Sequence, residues 1–269
     1  MSLYLAFSDE AGIADNGGEF LVAGYVAHET EWPWITRAWQ ERVLDGPPKI
    51  PYLHMTEIRS RGWREKNSIS YNESEERVAE AVRVLQSSGP LVAVASVMKR
   101  SDLHEAIHTR YVSRKKVPKG VDEPDYACFL KFVGLMLIQV HDRYRDARRV
   151  DFIVSRKETV AKGLGDMIET TKLYLADAHP EIASLLGELI PASMEAELPL
   201  QAADVLCWHL QRYYTGTFDR TDENRMWMLL KERDGELRTW TKEELETVGK
   251  GLEHLADPKN LVPAKAANP

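Results

Sequence analysis

Leu3-Tyr-Leu-Ala-Phe7-Ser-Asp9-Glu10-Ala-Gly12 opens the chain as a short apolar run that ends in two acids and a glycine. Continuous apolar residues bounded by turn chemistry are the pattern of a buried strand, here Leu3 to Phe7. Asp15-Asn-Gly-Gly is a strong turn signal because Asn and Gly accept positive φ. Phe20 to Ala27 is a second strand, and the two make an antiparallel hairpin. Asp9 and Glu10 then stand where the first strand leaves the sheet. Crevices beyond strand ends are where α/β sheets place ligands. Adjacent carboxylates there suit a hard cation such as Mg²⁺ or Mn²⁺.

Outward from this run, the pattern alternates between helix and strand. Thr30 caps a helix that carries Trp34 and Trp39 to about Val43, and Trp32, Trp34 and Trp39 are expected to pack in the core. Tyr52 to Ser70 is loop-rich. Helices are predicted over Glu73–Gln86, from Ser101, over Glu123–Tyr144, Glu158–Ala178, Pro199–Tyr214, Asp222–Lys231 and Thr241–Leu255. Strands are predicted over Leu91–Met98, Val150–Val154 and Gly187–Ala192. Such an order implies an α/β protein whose mixed sheet is flanked by helices. No repeat or linker divides it. The economical division is one domain over 1–215 with helical insertions, a helical C-terminal extension over 216–256 and a flexible tail over 257–269.

The chain has 269 residues, 35 Lys and Arg against 42 Asp and Glu, and a net charge of −7, which excludes a binder that holds nucleic acid by bulk positive charge. Its two cysteines form no disulfide framework and fit a reducing cytoplasm, where buried reduced thiols behave as small hydrophobes. The N-terminus has no basic region and only a short apolar stretch before two acids, which is not the pattern of a signal peptide. The strongest apolar run, Tyr126 to Val140, falls short of the ~20 residues that span a bilayer. A soluble, cytoplasmic protein is the expectation.

The second stretch with chemistry is Leu198-Pro-Leu-Gln201-Ala-Ala-Asp204-Val-Leu-Cys207-Trp-His-Leu-Gln-Arg-Tyr-Tyr214. On a helix, Leu200, Ala203, Leu206, Cys207 and Leu210 share an apolar face with Asp204 inside it. A carboxylate in such a place costs free energy unless it is paired or binds a cation. A structural Asp met by an Arg or a backbone amide is the competing reading.

Basic residues concentrate in two places. Residues 99–119 hold seven Lys and Arg, including Arg114, Lys115 and Lys116, against two acids. Residues 59–66 hold four, including Arg61 and Arg64, against one acid, with Trp63 among them. Such clusters neutralise phosphates, and an indole stacks on an unpaired base. A solvated surface loop is the plainer alternative.

His104-Glu105-Ala106-Ile107-His108 is a literal zinc-helix motif, two His one turn apart with a Glu between. It resembles zinc metalloproteases in those five residues only. Asp102 and Arg110 flank it, no third His follows at the metzincin spacing, and a solvated helix face accounts for it more simply.

The Asp-Glu-Ala-Gly exit, the second strand Phe20-Leu-Val-Ala-Gly-Tyr-Val, the segment His54-Met-Thr-Glu57 and the late Gln201-Ala-Ala-Asp204 together resemble the bacterial family catalogued as domain of unknown function 3800. The resemblance spans about residues 3 to 215. It implies a ribonuclease-H-like fold, with the first three strands antiparallel and the fourth parallel to the first. It also implies a metal-dependent nuclease that uses weakly held Mg²⁺ or Mn²⁺. On that pattern Asp9 bridges two ions, Asp204 holds one, Glu10 or Glu158 completes the set, and His54 or Glu57 carries a proton or adds a ligand. The family's usual first motif has Ser where this chain has Ala11. It often carries an Asp after the fourth strand, where this chain reads Ser155-Arg-Lys-Glu158, and Asp151 is expected to point away from the site. A nucleic-acid-binding module with a degenerate site therefore stands as the first alternative, and a zinc protease through His104 and His108 as the second.

Overall fold

The computed structural model describes residues 2–12, 18–89, 91–103, 105–106, 124–155, 171–172, 175–176, 179–231 and 235–247. The chain forms strands β1 (Ser2–Gly12) and β2 (Glu19–His28), then helices α1 (Trp32–Trp39), α2 (Met55–Arg59), α3 (Arg61–Lys66) and α4 (Tyr71–Ser87). Strand β3 (Val92–Lys99), α5 (Arg100–Leu103), α6 (Pro124–Arg143), β4 (Ala147–Ser155), α7 (Pro180–Ala183) and β5 (Leu186–Ala192) follow. The chain continues through α8 (Leu198–Tyr214), α9 (Arg220–Lys231) and β6 (Glu236–Thr239), with a further helix over 242–247.

The six strands make one mixed sheet in the order β5-β4-β1-β2-β3-β6. β1, β2 and β3 are antiparallel neighbours, and β4 runs parallel to β1. This is the ribonuclease-H-like arrangement that the sequence implies. The sheet's period of two divides the core. Tyr4 and Ala6 on β1, with Val150, Phe152 and Val154 on β4, face α6. Phe7 on β1 and Ile153 on β4 face α8, α4 and α1. Helices thus cover both faces, and burying both is what makes the central strands continuously apolar.

Gly24 is required where β2 passes β1. A Cβ there would stand 2.0 Å from the Phe7 carbonyl oxygen and 2.8 Å from the Ser8 Cα, main-chain atoms that have nowhere to go. Its register partner is Ser8, so this glycine sets the approach of β1 one residue before Asp9.

Several expectations are corrected. β1 runs on to Gly12, because Asp9 and Glu10 continue the ladder opposite Ala23 and Val22. Thr30 does not cap α1; its hydroxyl meets His28 Nδ1 at 2.8 Å, and the N-cap is Glu31 without a side-chain bond. Trp32 and Trp39 are buried as expected, but Trp34 is 71% exposed. Residues 32, 35 and 39 share one helix face, and 34 lies on the other. The final turn Gln40–Leu44 widens into a π-helical turn. The loop-rich stretch holds α2 and α3, too short to show a period. The region expected to be a helical extension contributes β6, parallel to β3 at the sheet's edge. No helix among the described residues is long and apolar enough to cross a membrane.

Candidate active site

Asp9 and Asp204 are each only 6% exposed, and they come from facing elements. Alternation along β1 puts Asp9 on the same face as Phe7, the face that α8 covers. On α8, Cys207 sits against β1 and donates its thiol to the Asp9 carbonyl oxygen at 3.0 Å. Three residues back, Asp204 lies about 60° around the helix from Cys207. Its carboxylate therefore leaves the flank of α8 between the sheet and the segment that runs into α2.

That segment is held by α8 itself. Gln201 Oε1 accepts the Leu53 N–H at 3.0 Å, and Asp204 Oδ2 accepts the Met55 N–H at 2.7 Å. The two side chains lie one turn apart, and residues 53 and 55 lie two apart on an extended chain, so the spacings match. His54, extended at φ −126° and ψ 121°, is fixed between these two anchors. Gln201 is fully buried and also accepts the Trp39 indole N–H at 2.9 Å, while its amide donates to the Met194 carbonyl at 2.8 Å.

His54 is thereby brought to the acid. Its Nε2 lies 3.8 Å from Asp204 Oδ1 and 3.2 Å from the Thr56 hydroxyl. On the other side, Nδ1 lies 3.6 Å from Glu57 Oε1. The Tyr52 hydroxyl donates to Glu57 Oε2. That carboxylate, and secondly burial, holds the Tyr52 hydroxyl above its ordinary pKa, so Tyr52 remains the donor. The result is a line of side chains, Tyr52–Glu57–His54–Asp204, that ends at the acid face of the sheet.

Glu10 is not brought into this line. It is the next residue on β1, so its side chain leaves from the opposite face, towards α6. Glu158 lies outside the described residues. On β4 the position level with Asp9 is Ser155, since Ser8 pairs with Val154. Asp151 is used elsewhere: it accepts Arg149 Nε at 2.6 Å and the Glu188 N–H at 2.7 Å, fastening edge strand β5. Gly187 makes room for it, because a Cβ there would stand 2.1 Å from Asp151 Oδ1. Among the described residues, no three or more His, Cys, Asp and Glu side chains gather as a metal-binding set.

The basic candidates divide. Arg61 points outward and pairs with Glu65 at 2.6 Å. Arg64 is turned inward, donating to the Arg59 carbonyl at 2.6 Å and the Ile58 carbonyl at 3.3 Å, where it closes the end of α2. Trp63 meets Tyr52 edge-to-face, with ring centroids 6.1 Å apart, beside the acid line. Arg114, Lys115 and Lys116 lie outside the described residues, as do His104 and His108. Glu105, between those two His, is exposed and bonds to Lys242 Nζ at 2.5 Å.

Two features were missed by sequence reasoning. Gln201 stands in the sequence only as part of a motif, yet it ties α1, the His54 segment and residue 194 to α8. His209, one turn and a half beyond Asp204, is fully buried with its Nδ1–H donated to the Val205 carbonyl at 2.7 Å. Burial in the first place lowers its pKa to about 4.

The sequence matches no protein-family model and no curated protein. Solved structures similar to this chain include two ribonucleases. Ribonuclease HII of Archaeoglobus fulgidus, in complex with PCNA, aligns at 14% identity over 82% of this chain and 78% of that chain, with a TM-score of 0.37. Bst-RNase HIII in complex with Mn²⁺ aligns at 10% identity over 94% of this chain and 70% of that chain, with a TM-score of 0.39.

Proposed function

We propose that this chain is a divalent-metal-dependent nuclease of the domain of unknown function 3800 type, with Asp9 and Asp204 at its centre. The observation that carries the reading is the pair of buried carboxylates on facing elements, with an imidazole delivered to one of them by that carboxylate's own backbone bond. Structural needs alone do not account for it. Met55 N–H could be accepted by a neutral side chain, and a buried acid is the costlier choice.

The donor set fits Mg²⁺ or Mn²⁺ rather than Zn²⁺. Asp9 and Asp204 offer hard oxygens and would hold the ion together with oxygens of the substrate phosphate. Such an ion, when bound, would supply positive charge at the phosphate and favour deprotonation of water. The chain's own residues do the rest. Asp204 keeps Oδ1 directed to the centre while Oδ2 is fixed on Met55 N–H. As water attacks phosphorus it gives up a proton to solvent, and as the bond to the departing oxygen breaks, His54 donates a proton from Nε2 to that oxygen. Glu57 steadies the imidazole through Nδ1, and Tyr52 steadies Glu57. Trp63, against Tyr52, and the exposed Arg61 on the same short helix are left for the nucleic acid.

The test is cleavage of end-labelled DNA and RNA oligonucleotides with Mg²⁺, Mn²⁺ or chelator. Cleavage is expected with either ion and is lost in Asp9→Asn and in Asp204→Asn. Ser155, standing where a further acid would complete the cluster, favours one other reading, a nucleic-acid-binding module with a degenerate site. Salt-sensitive binding with no turnover under any ion would establish that reading over the nuclease.

A further inference from the structure

Three aromatic rings follow the acid site along residues 52–71. Tyr52 is joined to the site through Glu57, Trp63 meets Tyr52 at 6.1 Å, and the Arg64 guanidinium next along α3 lies over the Tyr71 ring at 5.4 Å. None of the three rings is fully buried, although Trp63 packs one side against the core. Trp63 and Tyr52 are half-buried, and Tyr71, at the start of α4, is 57% exposed. Arg64 holds the Tyr71 ring, and the first turn of α4 is secured separately by its capping box, Ser70 with Glu73, so the ring stays open to solvent.

Cations alternate with the rings. Residues 59–71 hold four basic residues and one acid in a chain whose net charge is −7. Among the described residues Arg61 is tied only to Glu65, in a pair that is largely in solvent. Pairs of that kind contribute little, so the guanidinium can exchange Glu65 for a phosphate at small cost. Arg64 keeps a fixed positive charge under Tyr71 without leaving its backbone acceptors.

Rings and cations in alternation recognise a base face and a phosphate together. A continuous duplex offers phosphates but keeps its base faces stacked inside. Only an unpaired strand presents a face to Trp63 or Tyr71. We propose that Tyr52, Trp63 and Tyr71 form a stacking track, and that the nucleic acid entering this site is single-stranded. The inference rests on the nuclease reading for what happens at Asp9 and Asp204, but its own content is binding.

Binding is therefore measured on the full chain in chelator, by fluorescence anisotropy of labelled 20-mers, with single-stranded DNA or RNA set against blunt duplexes of the same sequence. The single strands are expected to bind at least about tenfold more tightly. Trp63→Ala and Tyr71→Ala each weaken single-strand binding by about five- to hundredfold, the range for loss of one stacked base. Trp63→Phe, which keeps a ring, recovers most of it. Tyr71→Ala guards against misfolding of the Trp63 variant, because its side chain is exposed, and melting curves check both. Equal affinity for duplex, indifference to the loss of both rings, or no binding at all would each overturn the track. Single-strand preference with ring dependence but no cleavage would sustain the track and remove the nuclease. Cleavage of duplex by ring-deleted variants would do the reverse.

Discussion

Two long helices lie on opposite faces of the same sheet, and they are built on different terms. α6 covers one face with Ala127, Cys128, Phe129, Leu130, Phe132, Val133, Met136, Leu137 and Val140, none of them carrying a strongly polar group into the core. α8 covers the other with Leu200, Ala202, Val205, Leu206 and Leu210, but it also buries Gln201, Asp204 and His209. Each of those three is held by a partner outside its own apolar stripe or by its own backbone. The dry face stabilises by volume. The polar face keeps its groups only because neighbouring segments were arranged to meet them, and the segment most arranged is the one that carries His54.

If that contrast is right, the dry face should answer to lost volume. Phe132 is fully buried against Phe129 and Phe152. Phe132→Ala should cost about 3–5 kcal/mol, read as a shift of the urea midpoint, because a cavity of that size does not collapse. A cost below about 1 kcal/mol would mean that α6 is loosely packed and the contrast is false.

The polar face should answer to pH. His209 is neutral when folded, with a pKa near 4, against about 6.5 when unfolded. Between those values the unfolded chain binds the extra proton. Stability from this group is thus complete above pH 6.5, falls as pH drops towards 4, and changes no further below it. The total is about 3 kcal/mol. Asp222 Oδ1 at 3.9 Å opposes the shift, while Arg59 and Arg225 add to it. Comparing urea midpoints at pH 7 and pH 4.5, His209→Leu should flatten much of the slope; an unchanged slope would assign acid sensitivity to other groups.

Gln201→Leu comes next, at about 2–3 kcal/mol. The substitution keeps the volume but leaves the Trp39 indole N–H, the Leu53 N–H and the Met194 carbonyl without their partner, and buried orphans cost about 1–3 kcal/mol each before relaxation. Gln201→Glu retains the acceptor and should recover part of the loss. A Leu variant as stable as the parent would show that the clamp on residues 53–55 is not needed.

The same contrast explains what could be read from the sequence. Apolar runs announce volume, so β1 to β5, α6 and α8 were legible, with their ends displaced by a few residues. Asp9 and Asp204 were legible because an acid inside an apolar pattern is conspicuous. What pairs with a buried polar group leaves no mark in a pattern. Gln201 looks like any helix glutamine until Leu53 and Trp39 are brought to it by the fold, and His209 looks like a solvated His. α2 and α3 were hidden because five or six residues are less than two turns. β6 was hidden because Glu-Leu-Arg-Thr is polar and pairs along one edge only. Glu10 parts from Asp9 for a simple reason: adjacent residues on a strand face opposite ways, and a pair of acids in a sequence does not show that it lies on a strand.

The smallest expected effect on stability is at the residue expected to matter most for activity. Asp204→Asn preserves shape, and the amide oxygen can still accept the Met55 N–H. One cost is removed, the burial of a carboxylate. One gain is lost, the attraction between Asp204 and His54 when the imidazole is charged, and at 3.8 Å that is a loose contact. The net change should be within about 1 kcal/mol, with the variant equal to or more stable than the parent. Melting with and without Mg²⁺ or Mn²⁺ separates the two roles of this side chain. The parent should gain stability from the ion, since a ligand that binds only the folded state raises its melting temperature. The Asn variant should gain little. If Asp204→Asn instead loses several kcal/mol and the parent is indifferent to the ion, Asp204 is a structural acid that holds the His54 segment, and α8 differs from α6 only in how it is packed.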